Sequence, residues 1–373
     1  MKKILYIATS DIHLKTFHLP YLKWLKSQGY EVSLAIEKRG NIEFENIDHT
    51  YYLQFPRSIK ISTYFSTYKQ LKSIIDKNGF NLIHCHTPLP SAVTRLAAHD
   101  ARKKKTKVLY TAHGFHFYKG APLKNWLLYY PAEYILSAFT DGIITINQED
   151  FGYTKNRMFH RDSFYLKGIG IDSTRFRIFN EEEIASARKK MGYPSESFIL
   201  LYVAGFIHRK NHQFIIKTLP ILKENIPMLR VLFAGKGVLL EQSKQLAKQL
   251  GVSDVIDFLD FRNDIPLLAA IADVGISSSR HEGLGLGLAE EMLCSLPVVA
   301  TIDKGHKELI ENGKNGFLYP QGDKSLFIKN IISLYENPYL RKKMGKNGNE
   351  KAQNFVIENS LKSMATIYHK YLD

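Results

Sequence analysis

Short apolar runs alternate, in the first half of the chain, with segments whose apolar residues recur every three or four positions. The apolar runs predict strands over Ile4–Ser10, Glu31–Ile36, Leu82–His86, Val108–Ala112, Gly142–Ile146 and Phe164–Lys167. The periodic segments predict helices over Tyr21–Gln28, Tyr64–Lys77, Ala92–Arg102 and Leu123–Ala138. Apolar strands that alternate with amphipathic helices indicate βαβ units, and hence a parallel sheet.

The same alternation starts again after a polar stretch at residues 172–197, which we interpret as a linker. It predicts strands over Phe198–Ala204, Leu229–Ala234, Val255–Leu259, Val274–Ser277 and Pro297–Ala300, with helices at Gln213–Glu224 and Leu239–Leu250. We therefore predict an α/β fold of two Rossmann-like, doubly wound domains, residues 1–172 and 173–353. The amphipathic helix in residues 354–373 should pack on the first domain. Such sheets bind ligands beyond the carboxyl ends of their strands, so we expect a site in an interdomain cleft.

Composition supports a soluble two-domain protein. The chain of 373 residues is too long for one ordinary core, and 45% hydrophobic with 23% charged residues is typical of globular proteins. No segment resembles a signal peptide or a membrane span. The two cysteines, Cys85 and Cys294, make no disulfide framework. We expect a cytoplasmic protein.

Positive charge is concentrated in the first half of the chain. Residues 1–180 contain 26 Lys and Arg against 14 Asp and Glu, whereas residues 181–373 contain 25 against 22. A basic first domain indicates an anionic partner: membrane headgroups, a phosphorylated substrate or nucleic acid. A lysine-rich solvated surface is the alternative, although a general compositional bias should affect both halves.

The strongest chemical signal is the segment Glu282-Gly-Leu-Gly-Leu-Gly-Leu-Ala-Glu290, which follows a predicted strand and enters a helix near Leu286. Its glycines allow close approach of a ligand, and a helix N-terminus favours phosphate. Tight packing of helix on sheet explains the glycines equally well. Glu282 and Glu290 add carboxylates, which accept hydrogen bonds from hydroxyl groups.

With its two glutamates eight positions apart, this segment resembles the E-x7-E motif of the family 4 retaining glycosyltransferases. Further motifs carry the resemblance: Leu296-Pro-Val-Val-Ala-Thr, Gly305-His-Lys-Glu308, Asn312-Gly-Lys-Asn-Gly-Phe-Leu, Asn263-Asp-Ile-Pro, Lys210-Asn-His and Thr111-Ala-His-Gly-Phe-His. The chain is most similar to bacterial capsule and exopolysaccharide glycosyltransferases. The resemblance implies the two-domain GT-B fold and a nucleotide-sugar donor.

The resemblance also implies roles in donor binding for the second domain. Glu282, with the backbone of Gly283, Leu284 and Gly285, should bind the hydroxyls of the donor sugar, and Glu290 those of the ribose. The amides of Leu286 and Gly287 and the Lys210 ammonium should meet the diphosphate. Phe206 follows Gly205, where many relatives have arginine, and Arg209 is the residue expected to compensate. Phe261 and Arg262 match the wall that receives the base.

For the first domain, the resemblance places His113 near the transferred sugar, as a catalytic residue with Glu282. A histidine that only caps a strand end is the alternative. The glycine-rich first loop of many relatives is replaced by Ser10-Asp-Ile-His-Leu-Lys-Thr-Phe-His18. We therefore assign His13 and Lys15 to the acceptor side, and His116 either to the acceptor side or to a structural role.

We expect neither a metal nor another cofactor. No Asp-x-Asp motif follows a strand, and His84 and His86 share a strand face without a third ligand at a metal-binding spacing. We interpret these two histidines as residues of a core strand end.

The sequence therefore predicts a metal-independent retaining glycosyltransferase at the inner face of the cell membrane. It would move a hexose or N-acetylhexosamine from a UDP-sugar to a polyprenyl-diphosphate-linked saccharide, in capsule or exopolysaccharide biosynthesis. The basic first domain would bind the anionic membrane surface, and no nucleic acid is expected. The alternatives are a nucleotide-sugar 2-epimerase with the same architecture and, more remotely, a basic nucleic-acid-binding protein.

Overall fold

The computed structural model describes residues 1–55 and 61–373, which form two compact units. The first unit comprises Met1–Gly170 and Ile357–Asp373, and the second comprises Ile171–Val356. The sequence placed the corresponding boundaries after residues 172 and 353. In the described part of the chain, no helix is both long enough and apolar enough to cross a bilayer.

A seven-stranded parallel sheet forms the centre of the first unit. Its strands are β1 (Lys3–Ser10), β2 (Glu31–Glu37), β3 (His49–Tyr52), β4 (Leu82–His86), β5 (Lys107–Ala112), β6 (Gly142–Thr145) and β7 (Asp162–Tyr165). They lie in the order β3-β2-β1-β4-β5-β6-β7, which reverses direction between β1 and β4. Tyr6 on β1 lies opposite Leu34 on β2 and His84 on β4.

Among residues 1–55 and 61–170, seven helices are present. They are α1 (Asp11–Phe17), α2 (Leu19–Ser27), α3 (Ile61–Asn78), α4 (Pro88–Ala97), α5 (His99–Lys103), α6 (Leu123–Ser137) and α7 (Gln148–Arg157). Two separate apolar clusters pack against the sheet, one including Leu5 and Ile83 and the other Ile4 and Leu82. Because neighbouring residues of a strand point to opposite faces, both faces of this sheet are buried.

The second unit has a six-stranded parallel sheet in the order β10-β9-β8-β11-β12-β13. Its strands are β8 (Phe198–Val203), β9 (Leu229–Ala234), β10 (Ile256–Phe258), β11 (Val274–Ser277), β12 (Val298–Thr301) and β13 (Gly316–Tyr319). Its helices are α8 (Glu181–Met191), α9 (His212–Ile216), α10 (Leu219–Asn225), α11 (Leu240–Gln249), α12 (Ile265–Ile271), α13 (Leu286–Leu293), α14 (His306–Leu309), α15 (Lys324–Glu336) and α16 (Pro338–Ala352). The order reverses between β8 and β11.

The last helix, α17 (Ile357–Leu372), belongs to the first unit, as the sequence predicted. Its buried face includes Met364 and Tyr368, which join the apolar cluster around Ile4. The Tyr368 ring stacks on Trp24 of α2, with ring centroids 5.7 Å apart. Its hydroxyl lies 2.7 Å from Nδ1 of His84.

The linker interpretation of residues 172–197 was wrong in part, because this stretch contains α8. Asn180 and Glu183 form a capping box at its start, and Gly192 ends it in the left-handed region at φ 79°. The polar residues that suggested a linker therefore cap and solvate an exposed helix.

Three further expectations about elements were wrong. Residues from Ser10 onward were treated as a loop, but the Ser10 hydroxyl accepts a hydrogen bond from the His13 amide at 3.3 Å and caps α1. Gln213–Glu224 is not one helix. It is split into α9 and α10, because Pro220 in the first turn of α10 has no N–H with which to continue α9. Ala92–Arg102 is likewise divided, between α4 and α5 at Ala98.

Candidate active site

The loop between β11 and α13 turns sharply into the helix at Gly285. Gly285 is the N-cap residue and has φ 96°, in the left-handed region that favours glycine. The helix begins at Leu286, which confirms the predicted start. No side chain caps α13 within this described segment. The first-turn amides of Leu286 and Gly287 are therefore suited to an anionic ligand.

Packing also contributes to the choice of glycine in this segment. A Cβ atom at Gly287 would lie 3.2 Å from the carbonyl oxygen of Val203, at the end of β8. The helix therefore approaches the sheet closely at this position. Both explanations of the glycines apply: close packing at Gly287 and a left-handed turn at Gly285.

Glu282, which is 8% exposed, is held between two cations. Its Oε2 accepts a hydrogen bond from Nη1 of Arg209 at 2.6 Å, and its Oε1 accepts one from Nζ of Lys210. Arg209 also donates to the carbonyl oxygen of His281 at 2.6 Å. The structure thus brings together three residues that the sequence assigned to donor binding.

The charge on Glu282 is fixed by these partners. Burial raises the pKa of its carboxyl group, but the opposite charges of Lys210 and Arg209 outweigh burial and lower the pKa to about 2. The group is therefore a carboxylate at every physiological pH. Since a carboxylate only accepts hydrogen bonds, its complement in a ligand is a set of hydroxyl or N–H donors.

The loops after β8 and β11 carry these residues, and hydrogen bonds tie the two loops together. Ser278 Oγ donates to the carbonyl oxygen of Asn211 at 2.9 Å, and the Arg280 amide donates to the carbonyl oxygen of Arg209 at 2.8 Å. The strand order reverses between β8 and β11. Open α/β sheets bind their ligands at this kind of position.

Phe206 has turned inward. It is 0% exposed and stacks on the His212 ring, with centroids 3.9 Å apart. The side chain three positions later, Arg209, is the one that reaches Glu282. The role of Arg209 toward a diphosphate stays a prediction.

Glu290 lies half-buried on α13. Its carboxyl group ionises at a higher pH than that of Glu282. Burial raises the pKa of its carboxyl group to about 7, although the charge of Arg175 opposes the rise. Burial also raises the pKa of the neighbouring Glu291 well above its usual value. Glu291 is 1% exposed, and its Oε2 has no hydrogen-bond partner among the described residues. This second buried carboxyl group was not predicted from the sequence.

The remaining residues assigned to donor binding lie at neighbouring strand ends. Gly205 follows β8 closely, and a Cβ atom there would lie 3.2 Å from the carbonyl oxygen of Lys236. Phe261, after β10, is 69% exposed, so its ring is available for stacking. Arg262 is held by both carboxylate oxygens of Asp264, at 2.7 and 2.5 Å. The assignment of Phe261 and Arg262 to the base stays a prediction.

In the first unit, histidines gather at the carboxyl ends of β1, β4 and β5. His86 Nδ1 lies 3.3 Å from Nε2 of His113, and the His113 ring is 5.5 Å from that of His13. His84 instead hydrogen-bonds Thr111 Oγ1 at 2.8 Å, in the core. Burial, together with the neighbouring His13 and His84, lowers the pKa of His113 to about 3. His113 is therefore a neutral imidazole at pH 7.

The three residues assigned to the acceptor side are dispersed. His13 is half-buried beside His113, whereas Lys15 is exposed on α1. His116 is exposed and stacks on Tyr129 of α6, with centroids 4.6 Å apart. The structure therefore groups only His13 with His113.

Sequence reasoning missed three histidines of these sites. His306 packs against Gly285 from below the turn, and its Nδ1 lies 2.8 Å from the carbonyl oxygen of Thr301. His18 and His86 complete the group around His113, with His18 and His86 ring centroids 4.3 Å apart. The signal that could have found them is their place in the chain, because they lie at or shortly after the carboxyl ends of predicted parallel strands.

Comparison with known proteins identifies the family. Residues 183–351 match "Glycosyl transferases group 1", and residues 3–147 match "Glycosyl transferase 4-like". The chain is 43% identical over 375 residues to EpsD of Bacillus subtilis (strain 168), a provisionally assigned glycosyltransferase, covering 100% of this chain and 97% of EpsD.

Two more distant proteins extend the comparison. The UDP-Gal:alpha-D-GlcNAc-diphosphoundecaprenol alpha-1,3-galactosyltransferase of Escherichia coli is 26% identical, over 83% of this chain and 78% of that enzyme. The crystal structure of Anabaena Alr3699/HepE in complex with UDP and glucose superposes with a TM-score of 0.81 at 19% identity, covering 99% and 100% of the two chains. At that identity the likeness concerns the fold, which is GT-B. The chain is therefore a glycosyltransferase with the GT-B fold, and it belongs to the family of group 1 and 4-like glycosyltransferases.

Proposed function

We propose that this glycosyltransferase transfers a hexose or N-acetylhexosamine from a UDP-sugar to a lipid-linked saccharide, with retention and without a metal, in exopolysaccharide or capsule biosynthesis. The observation that carries the proposal is the carboxylate of Glu282, held between Arg209 and Lys210 beside the start of α13. A fixed carboxylate suits sugar hydroxyls. Cations and helix amides next to it suit a diphosphate.

In this proposal the leaving group is stabilised by the protein itself. Negative charge that develops on the diphosphate would be met by Lys210, Arg209 and the amides of Leu286 and Gly287. These donors are in place before the reaction, so stabilising the transition state needs little reorganisation. They supply the positive charge that Mg²⁺ supplies in other phosphate-transfer sites. Glu290 would bind the ribose hydroxyls, with Phe261 and Arg262 at the base.

The proposed transfer takes place on one face of the sugar. The bond between C1 and the phosphate oxygen breaks, and its electron pair stays on that oxygen. The acceptor hydroxyl forms the new bond to C1 on the same face, and its proton passes to a phosphate oxygen of the leaving nucleotide. His113, a neutral imidazole, would hydrogen-bond the transferred sugar. Configuration at C1 is retained, and no carboxylate nucleophile is required.

A groove in the first unit supports a lipid diphosphate as acceptor. It has a volume of about 760 Å³ and combines apolar side chains with three lysines and with two glutamates, Glu43 and Glu45. Its lining includes Lys15, Leu19, Leu22, Lys23, Lys26 and Phe44. Ammonium groups suit a phosphate, and apolar walls suit the first isoprene units of a lipid carrier.

Helix α6 supports binding to a membrane surface, because its exposed face is apolar. Glu133 is buried and accepts a hydrogen bond from Arg95 at 2.9 Å, whereas Leu123, Leu127 and Ile135 are 72%, 71% and 60% exposed. An apolar helix face in water marks an interaction site. Lys124 lies on the same face, and the basic first half of the chain suits anionic headgroups.

A donor and acceptor screen tests the function. The purified chain is incubated with UDP- and GDP-sugars, with and without a polyprenyl-diphosphate-linked saccharide, in buffer containing EDTA. We expect UDP release that depends on the acceptor and is unchanged by EDTA, and a product whose anomeric configuration, read by NMR, matches the donor's. Acceptor-independent conversion of the donor sugar would identify an epimerase instead. A strict requirement for Mg²⁺ would contradict the metal-independent mechanism.

A further inference from the structure

Three histidines of the first unit offer ring nitrogens to one point. His13, His18 and His113 can each contribute one nitrogen such that all three nitrogens lie within 4.8 Å of one another. Within residues 1–55 and 61–373 this is the one group of three or more potential ligand residues with this geometry. The donor set contains imidazoles and no carboxylate.

The group lies where the sheet order reverses. His13 is on α1, which follows β1, and His18 is the first residue after α1. His113 directly follows β5, and the adjacent His86 is the last residue of β4. Because β1 and β4 are adjacent and parallel, residues after their carboxyl ends meet at one edge. The ligands thus come from separate segments of the chain, so no sequence spacing could have revealed them.

We propose that His13, His18 and His113 bind a divalent transition-metal ion of the zinc class. Three imidazoles with an open fourth position are a usual ligand set for Zn²⁺. Imidazole nitrogen suits zinc, copper, iron and nickel, whereas Mg²⁺ and Ca²⁺ prefer oxygen ligands.

Two of the three ligands have a buried ring nitrogen that nothing else satisfies. Nε2 of His18 and Nδ1 of His13 have no hydrogen-bond partner among the described residues, and His18 is 1% exposed. A buried polar atom without a partner costs roughly 1–3 kcal/mol. A bound metal ion would remove that cost.

The remaining nitrogen of His18 is already oriented by a hydroxyl. Its Nδ1 lies 2.9 Å from the hydroxyl oxygen of Tyr6. With Nδ1–H donating to Tyr6, the lone pair of His18 is on Nε2, the unpartnered atom. Metal-binding histidines in proteins are held in this way, by a hydrogen bond from the second ring nitrogen to an oxygen.

Charge and access both permit a cation at this site. The guanidinium of Arg39, whose charge acts on His13, is paired with the carboxylate of Glu37, which reduces its repulsion of a cation. His13 and His113 are only half-buried, so an ion can enter from solvent.

A small closure of the side chains completes the geometry. Zn–N bonds of about 2.0–2.1 Å in a tetrahedral site place the nitrogens about 3.4 Å apart. The distances between the three nitrogens would therefore shorten by at most about 1.4 Å from their limit of 4.8 Å. Rotation about the side-chain bonds of the half-buried His13 and His113 can supply this movement.

If His113 binds the transferred sugar, as proposed above, a metal ion at this site should interfere with sugar transfer. A bound ion takes the lone pair of His113 and fills the space beside it. Zn²⁺ should then inhibit sugar transfer reversibly, and a chelator should restore it. The metal site is thus inhibitory, and transfer itself proceeds without a metal.

Metal binding by the full chain is measured first, without any donor. Co²⁺ serves as a visible-absorption probe, Zn²⁺ is titrated by calorimetry and by displacement of Co²⁺, and Mg²⁺ is the negative control. We expect one Zn²⁺ per chain and no binding of Mg²⁺. His13→Asn should weaken Zn²⁺ binding at least about ten-fold, while His99→Asn, on an exposed helix position, should bind as the wild type does.

Two results would overturn the metal site: no saturable binding of Zn²⁺, or equal affinity in His13→Asn and His99→Asn. If thermal unfolding shows that His13→Asn is not folded, the Zn²⁺ affinity of His113→Asn is compared with that of His99→Asn instead. Because these readouts need no activity, they stand even if the proposed function fails. Zn²⁺ that binds with the expected ligands but leaves transfer unchanged would instead contradict the role of His113.

Discussion

Glu282 is the residue on which the proposed donor site depends most, because its one carboxylate binds two cations. Replacement by glutamine keeps the size and removes the charge, so Arg209 and Lys210 lose their common partner. We expect Glu282→Gln to lower kcat/KM at least about 100-fold, the scale of losing one aligned electrostatic contact. Steady-state assays with each donor, with exposed Glu241→Gln on α11 as control, measure this. Near wild-type turnover with every donor would show that Glu282 is not the sugar-binding acid.

Ionisation of Glu290 should affect both the stability of the fold and the proposed binding of the donor. Its carboxyl pKa is about 7 in the folded chain, against a usual value of 4.5. The folded state therefore binds the proton more tightly, so the stabilisation by this group is complete below pH 4.5 and is lost as pH rises through 7. Glu290→Gln cannot ionise and should be more stable than the wild type at pH 8, by about 1–3 kcal/mol.

The same substitution should weaken UDP binding, because an amide replaces the carboxylate that would accept both ribose hydroxyls. Calorimetric unfolding at pH 5 and pH 8, with UDP titrations at pH 8, measures both effects, and Glu241→Gln again provides the control. Equal pH dependence of stability in Glu290→Gln and the wild type would contradict the raised pKa of Glu290. Unchanged UDP affinity would instead contradict its role toward the ribose.

At the level of elements, α6 is the part through which we propose contact with a membrane surface, since no helix of the described residues is long and apolar enough to cross one. Leu123 and Leu127 lie one turn apart on its exposed face. Replacing both by serine removes apolar surface from the proposed contact with lipid and leaves the buried Glu133–Arg95 ion pair intact. We expect binding to anionic vesicles to weaken at least about ten-fold, since each buried leucine contributes about 1.5–3 kcal/mol.

Co-sedimentation with phosphatidylglycerol vesicles at low and high salt measures this binding. Ile221→Ser is a matched control, because Ile221 is a 49% exposed apolar residue on α10 of the second unit. Wild-type binding should also fall at high salt, since the basic residues contribute by charge. A double variant that binds as tightly as Ile221→Ser would exclude α6 as the membrane contact.

Elements whose pattern is strong in sequence were predicted well, and those set by tertiary contacts were not. The apolar runs at Leu229–Ala234 and Val274–Ser277 have the predicted bounds as β9 and β11, because a strand buried on both faces leaves an uninterrupted signal. The edge strand β3 has half-exposed or exposed residues throughout and gives no such signal. Helix α8 was missed because it is held by its caps and not by an apolar face.

The candidate site divides in the same way. The β11–α13 loop could be recognised because its ligand-binding residues are contiguous, and the structure confirms the helix start at Leu286. The contact between Arg209 and Glu282 joins residues 73 positions apart and becomes visible only in the fold. The histidine group was missed for the same reason, since His13, His18 and His113 meet only when β1 and β5 take their places in one sheet.

At the scale of the whole molecule, the chain leaves its first unit after Gly170 and returns to it at Ile357. The returning helix α17 completes a core that the first 170 residues leave open. Tyr368 is 0% exposed, stacks on Trp24 and reaches His84 with its hydroxyl. The core of the first unit is therefore completed by residues that follow the second unit in the chain.

Replacing Tyr368 by alanine tests this dependence. The loss of a buried aromatic ring should destabilise the first unit by about 3–5 kcal/mol. Both tryptophans, Trp24 and Trp126, lie in that unit, so tryptophan fluorescence during urea unfolding reports on it alone. We expect the fluorescence midpoint to fall in Tyr368→Ala, while UDP affinity, proposed to depend on the second unit, stays as in the wild type. Tyr339→Ala, at a 75% exposed position on α16, should change neither. A fluorescence midpoint that does not move would mean that the first unit is complete without α17.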